Sequence, residues 1–230
     1  MTATCVLGDS PSAAALASSR IVAILRYADG GDIVAAISAL RDGGVDICEV
    51  TADTPGALDA IERTCHDGLV GLGTVTTAAQ VRDCAAAGGR FIISPGTDRD
   101  VITTALDLGV LPIPGVLTGT DVLQAVAAGA SMLKLFPAEP LGPSYLAGLR
   151  GPFRNVPFIP TGGITAENAG AYLVAGAAAV AVGSALVGRC APADAADAAD
   201  ITARACTLRN LVSRFSPASE AAATNPEGTR

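Results

Sequence analysis

FIISPGTDRDVITTALDLGVLPIPGVLTGTDVLQAVAAGASMLKLFP, residues 91–137, holds the architecture in miniature. Three apolar runs, Phe91–Ser94, Val110–Val116 and Met132–Pro137, are separated by two Ala- and Leu-bearing stretches, Asp98–Leu108 and Thr118–Ala128. The apolar runs lack polar alternation. Strands covered on both faces read this way, and such strands belong to parallel sheets. The stretches between them open on Asp or Thr, which suit a helix N-cap. They close at Gly109 and Gly129, where glycine takes up the left-handed conformation that ends a helix. The repeated unit is therefore strand, loop, helix, glycine.

The same unit continues outward in both directions. Upstream, strands are expected at Ile21–Arg26, Ile47–Thr51 and Leu69–Val75, with helices at Asp32–Asp42, Pro55–His66 and Thr77–Ala87. Downstream lie strands Phe158–Thr161 and Ala179–Gly183 around a helix at Thr165–Ala175. Eight strands with helical crossovers predict an α/β fold, a single-domain (β/α)8 TIM barrel, and 230 residues suit one such unit. An open doubly wound sheet is the alternative, but no GxGxxG follows the first strand. The expected divisions are an N-terminal extension with a helix (1–20), the barrel core (21–190), a C-terminal helix (191–214, its helical stretch Pro192–Arg214) and a flexible tail (215–230).

Composition narrows the function classes. Half the residues are apolar and 16% are charged, which excludes a disordered chain. Fifteen basic residues face twenty-two acidic ones, a net charge of -7, and an acidic surface repels a phosphate backbone. There is no Trp and aromatics are 3%, so base-stacking platforms are not expected either. The cysteines at 5, 48, 65, 84, 190 and 206 form no CxxC pair, and His66 is the only histidine. That argues against zinc and against a disulfide scaffold; scattered thiols read as buried small hydrophobes in a reducing cytoplasm. The first twenty residues lack the basic start of a signal peptide. Residues 168–188 carry no charge but are broken by four glycines, so a helix, a break and a buried strand are expected there rather than a membrane span.

In such a barrel the chemistry sits at the C-terminal ends of the strands. Lys134 is the only lysine, set within Met132-Leu133-Lys134-Leu135-Phe136. Strand side chains alternate, so if Leu133 and Leu135 pack against helices, Lys134 points into the barrel. Burial lowers an amine's pKa, and a neutral amine adds to a carbonyl to form a Schiff base. Glu49, between Cys48 and Val50, faces inward by the same reasoning, where a carboxylate can move protons or hold a structural ion pair. Thr161-Gly162-Gly163 ends strand seven and Gly183-Ser184 ends strand eight. Loops at those two places often hold a phosphate in this fold. Arg26, ending strand one, could clamp an anion. His66 falls at the remote face. Asp194, Asp197 and Asp200 fall on a solvated helix without the spacing of a calcium loop. No metal or other cofactor is expected.

The segments IVAILR (21–26), GGVDICEVT (43–51), GLGTVT (71–76), FIISPG (91–96), PIPGVLT (112–118), LKLFPAE (133–139), GPFRNVPFIPTGGI (151–164) and AVGSALV (181–187) resemble, in order, those of the KDPG/KHG aldolase family. The resemblance implies a class I, metal-independent aldolase acting on 2-keto-3-deoxy-6-phosphogluconate, a lyase of Entner–Doudoroff carbohydrate metabolism. In it Lys134 matches the Schiff-base lysine and Glu49 the acid/base glutamate. Thr74, Pro95 and Phe136 match residues lining a pyruvyl pocket. Thr161, Gly162, Gly163, Gly183 and Ser184 match the anion-binding loops. It also implies a homotrimer. One departure stands out: where many members read EVTLRT, this chain reads EVTADT, with Asp53 in place of an arginine. Other members lack that arginine and carry one at the end of strand one, as Arg26 does here. The alternatives are therefore a 4-hydroxy-2-oxoglutarate or 2-keto-3-deoxy-6-phosphogalactonate aldolase, a sugar-phosphate-binding barrel without aldolase chemistry, and a scaffold with a dead site.

Overall fold

A computed structural model describes residues 10–215. Its strands are β1 (Ile21–Leu25), β2 (Ile47–Thr51), β3 (Leu69–Gly73), β4 (Phe91–Ile93), β5 (Leu111–Ile113), β6 (Gly115–Val116), β7 (Leu133–Leu135), β8 (Phe158–Pro160) and β9 (Val180–Val182). All pairings are parallel. Six strands follow the order β5-β4-β3-β2-β1-β9 and three the order β6-β7-β8. A parallel bridge, Thr161 to Ala181, joins β8 to β9 and closes that side. On the other side β5 and β6 are consecutive pieces of one barrel strand, the expected Val110–Val116. The expectation of an unbroken strand is corrected at Pro114. Proline offers no N–H to a ladder, and strands bend where it sits. Its carbonyl still accepts the Lys134 N–H at 2.9 Å, so β5 serves β4 and β6 serves β7. The bend also needs Gly115, because a Cβ there would lie 2.3 Å from the Pro95 carbonyl oxygen.

The helices are α1 (Pro11–Ser19), α2 (Ile33–Asp42), α3 (Ala57–Thr64), α4 (Ala78–Ala86), α5 (Arg99–Asp107), α6 (Gly119–Ala127), α7 (Gly142–Arg150), α8 (Ala166–Val174), α9 (Ser184–Val187) and α10 (Ala195–Val212). Side-chain oxygens cap several starts: Asp32 accepts from the Ala35 N–H, Asp98 from Val101 and Thr118 from Asp121, whose own carboxylate returns to the Thr118 N–H. Two expectations change here. The second helix is shorter than Pro55–His66, because Gly56 stands before its first turn at φ +81, and its chain turns on past Thr64 without a left-handed Gly68. The last helix starts at Ala195 rather than Pro192, because Asp194 accepts from the Ala196 and Asp197 N–H groups and so marks the cap.

The alternation along strands sorts the core into two layers. Val22, Ile47, Phe91, Ile93, Ile113, Met132, Ile159 and Ala181 fill the barrel interior, where Ala13 and Leu16 of α1 join them as a plug. Ala23, Leu25, Cys48, Val50, Leu72, Leu133, Leu135 and Phe158 pack outward against the helices. Arg20 fastens the plug: its guanidinium donates to the carbonyls of Ala177, Ala178 and Phe215. Phe215, expected in the flexible tail, belongs to a 3-10 turn, Ser213–Phe215, packed against the hydrophobic core and close to Gly170 of α8. The rest of that tail, 216–230, and the extension 1–9 with Cys5 lie outside the described residues. The cysteines divide: Cys48 and Cys84 are buried, Cys65 is half-buried, and Cys190 and Cys206 are exposed, so the reading of all of them as core hydrophobes is corrected. Among the described residues no helix is long and apolar enough to cross a membrane.

Candidate functional site

At the C-terminal mouth of the strands lies a cavity of ≈ 780 Å³. Its wall includes Arg26, Glu49, Thr74, Pro95, Lys134, Phe136, Thr161, Gly162, Gly163, Gly183 and Ser184, contributed by the ends of seven barrel strands. Every site residue named from the sequence is thus on one surface. Lys134 takes its place because β7 exposes Leu133 and Leu135 to the outer core layer, leaving the residue between them with the inward parity of Met132. Lys134 is 6% exposed and Glu49 1% exposed. The lysine Nζ lies 4.8 Å from the centroid of the Phe136 ring, a cation–π distance.

Burial dominates the chemistry of both groups. It pushes the Lys134 pKa down, with Glu49 pulling it up and Arg26 adding to the fall. It pushes the Glu49 pKa up, against the lowering influence of Lys134 and Arg26. Among the described residues neither is in an ion pair within 4.0 Å, and the Glu49 Oε2 is buried without a hydrogen-bond partner. A buried carboxylate oxygen left unpaired is costly. The structural-ion-pair reading of Glu49 does not match this geometry. A carbonyl compound or a water between the two groups would give both a partner.

Two residues shape the site in ways the sequence does not show. Gly73 lies beneath Glu49: a Cβ there would sit 1.9 Å from the carboxylate Oε1 and 2.5 Å from Cγ and Cδ. The Gly73 φ is not positive, so alanine is compatible with the backbone and the flexible Glu49 side chain must move instead. Gly73→Ala is expected to leave the thermal midpoint within a few degrees while lowering the activity proposed below at least about tenfold, a fraction of what a misplaced acid/base group can cost. Steady-state rates beside a thermal melt check this; unchanged rates would show that Glu49 need not lie where it does. The second residue is Asp53. Its Oδ2 pairs with the Arg26 guanidinium at 2.5 Å, and the same guanidinium donates to Thr74 Oγ1 at 2.6 Å. Burial acts upward on the Asp53 carboxyl, but Thr51 and Arg26 outweigh it and hold its pKa below the usual value. Thr74 sits in the left-handed region at φ +57, a conformation non-glycine residues adopt at a cost of about 1–3 kcal/mol. Arg26 is an exposed residue of the rim, tied there to two other strand ends.

The opposite wall is built by the two glycine turns. The loop after β7 runs beside the one after β8, with Ala138 N–H donating to the Thr161 carbonyl at 2.9 Å and Glu139 N–H to the Gly162 carbonyl at 3.0 Å. The Thr161 hydroxyl is turned to the Ile159 carbonyl. Gly163, at φ +73, allows the close approach of Glu139, whose Cβ would be 2.3 Å from a Cβ there. Tyr27, also on the wall, is buried. Its hydroxyl donates to the Val187 carbonyl at 3.2 Å, tying the Arg26 loop to α9. His66 is exposed and away from the cavity, and Asp194 is a helix cap. Among the described residues no group of three His, Cys, Asp or Glu could hold a metal ion. A smaller cavity of ≈ 410 Å³ between α8, α9 and α10 holds no amine or thiol, and its Arg204 is committed to the Leu186 carbonyl at 2.7 Å.

The fold and cavity define a (β/α)8 barrel carrying a buried lysine, a buried glutamate and paired glycine turns at one mouth. The family model for KDPG and KHG aldolase matches residues 13–204, and the chain belongs to that family. It is 41% identical over 115 residues to the 2-dehydro-3-deoxy-phosphogluconate aldolase of Treponema pallidum (strain Nichols), covering 50% of this chain and 55% of that one. It is 41% identical over 119 residues to the probable 2-dehydro-3-deoxy-6-phosphogalactonate aldolase of Rhizobium meliloti (strain 1021), covering 51% and 56%. These matches span little more than half of those relatives' length. The KDPG aldolase of Legionella pneumophila, solved with pyruvate captured at low pH as a covalent carbinolamine intermediate, superposes with a TM-score of 0.76 at 33% identity, covering 86% of this chain and 97% of that one.

Proposed function

We propose that this chain is a class I aldolase that cleaves a 2-keto-4-hydroxy acid, in the first place 2-keto-3-deoxy-6-phosphogluconate, to pyruvate and an aldehyde, here glyceraldehyde 3-phosphate. The observation that carries the reading is the pairing of two groups shifted in opposite directions by burial, the Lys134 amine and the Glu49 carboxyl, on one cavity wall. Divergent pKa values in one site are how acid and base roles are divided. The carbinolamine captured in the Legionella relative supports the same chemistry.

The neutral Lys134 amine adds to C2 and gives a carbinolamine, which loses water to become an iminium. A base takes the proton of the C4 hydroxyl, the C3–C4 bond breaks, its electron pair moves into the iminium, and the aldehyde leaves. The enamine is protonated at C3, and water hydrolyses the iminium to release pyruvate and restore the amine. Glu49 carries these protons, directly or through a water. Phe136, Pro95 and Thr74 enclose the three-carbon end. Arg26 meets its carboxylate, and the 161–163 and 183–184 turns meet the phosphate.

A second reading within the same chemistry is cleavage of the phosphogalactonate epimer, supported by the 41% identity to the Rhizobium meliloti protein named as a probable 2-dehydro-3-deoxy-6-phosphogalactonate aldolase. A lactate-dehydrogenase-coupled assay of the phosphogluconate-derived, phosphogalactonate-derived and hydroxyoxoglutarate substrates decides among them. Pyruvate release is expected from at least one phosphorylated substrate at a kcat/KM at least about tenfold above the dicarboxylate; none from any would overturn the proposal. The same reading carries a homotrimer, supported by the exposed Leu106, Leu108 and Leu123 of the α5–α6 region. It also carries a cytoplasmic location and a place in Entner–Doudoroff metabolism, supported by the free cysteines and by the family, with no nucleic-acid partner, as a net charge of -7 supports.

A further inference from the structure

Two arginines line the cavity, and only one is committed. Arg26 is held by Asp53 and Thr74. Arg189 is exposed and, among the described residues, makes no ion pair and no side-chain hydrogen bond. It follows Gly188, which turns the chain at φ +80 just beyond α9, so it stands at the end of the segment that Ser184 begins. The acidic Asp197 and Asp200 of α10 face a separate cavity of ≈ 170 Å³ that Arg189 does not line. The glycine turns themselves are not cationic, and Glu139 lies against Gly163. A phosphate dianion placed between them gains from a positive charge beside the backbone N–H groups, and charge-assisted hydrogen bonds to a guanidinium are a strong, geometry-selective way to provide it.

We infer that Arg189 is the specificity-determining cation of this site, pairing with the phosphate of a phosphorylated keto acid at the 162–163 and 183–184 turns. Arg26, fixed by Asp53 and Thr74, is left to the carboxylate end. This inference rests on the aldolase reading for its substrate but not for its ligand.

The test measures kcat/KM for 2-keto-3-deoxy-6-phosphogluconate and its dephosphorylated analogue in the wild type, Arg189→Ala and Arg189→Lys. Calorimetric titration of inorganic phosphate into each accompanies it. The preference for the phosphorylated substrate is expected to fall roughly 10- to 100-fold in Arg189→Ala and to recover in part in Arg189→Lys, with phosphate affinity falling at least about tenfold in Arg189→Ala. Equal losses on both substrates, or an unchanged preference, would overturn the inference. If the wild type cleaves neither substrate, the aldolase reading fails instead. Phosphate titration then decides the inference alone: weakened binding in Arg189→Ala supports it, and undiminished binding overturns it.

Discussion

Lys134→Ala and Lys134→Arg are both expected to lower kcat by roughly 10⁴- to 10⁶-fold, the scale at which removing a covalent nucleophile acts. Wild-type protein incubated with pyruvate and borohydride is expected to gain mass at Lys134, and neither variant to gain any. The arginine variant separates two roles. A guanidinium keeps its proton at any accessible pH, so it can clamp an anion but cannot add to a carbonyl. If Lys134 were only a charge clamp for a sugar phosphate, Lys134→Arg would retain most of the activity and borohydride would trap nothing in the wild type. The nucleophile reading predicts a pH dependence of definite sign. The Lys134 pKa lies below the ordinary amine value because burial disfavours the ammonium. Attack needs the neutral amine, so kcat/KM rises with pH through that depressed value and not through the ordinary one. The same depression makes the folded state lose stability as pH falls through the folded pKa, because the unfolded chain takes up that proton first.

How far the sequence could carry the site depends on which forces place each residue. Strand periodicity is local, so the inward parity of Lys134 between Leu133 and Leu135, and of Glu49 between Cys48 and Val50, could be read without tertiary information. The repeat of apolar run and glycine stop is equally local, and it predicts eight parallel strands. What escapes is what depends on side chains meeting across strands. The second helix of the Lys134 side, α7, reads GPSYLAGLR, with two glycines, a proline and Leu146 as its one buried residue, too weak a stripe to stand out. Pro114 looks like one more apolar residue in Val110–Val116 until the ladder demands its missing N–H. Asp53 is visible as a departure from the family's arginine, but its partnership with Arg26, twenty-seven positions away, exists only once β1 and β2 lie side by side. Gly73 is one glycine among twenty-six, and only the Glu49 side chain lying across it gives it a role. Arg189 lies at the expected end of the barrel, where nothing local in the sequence marks it as a wall residue.

Glu49→Gln carries the second large effect. The substitution keeps the shape and removes the ionisable group, and kcat is expected to fall roughly 10²- to 10⁴-fold, the usual worth of a positioned acid/base. Pyruvate still adds to Lys134, so borohydride trapping persists, more slowly. Glu49 is the group that raises the Lys134 pKa, against burial and Arg26. Without it the lysine pKa drops further, and the rise of kcat/KM with pH moves to lower pH than in the wild type. A glutamate that stays protonated throughout that limb would leave it where it is. Stability gives an independent readout. The folded pKa of Glu49 is raised by burial, so its contribution to stability is full below the unfolded value of about 4.3 and is lost as pH rises through the folded one. Glutamine never ionises. Glu49→Gln should therefore gain on the wild type as pH increases from about 4.3. The comparison is cleanest above the pH at which Lys134 has lost its proton, where the loss of its neighbour no longer enters. Denaturation curves for both proteins across that range check the sign. A wild type more stable than the variant at alkaline pH would mean that the carboxylate is held by a partner strong enough to outweigh its burial, and the free Oε2 that marks it as a proton carrier would lose its meaning.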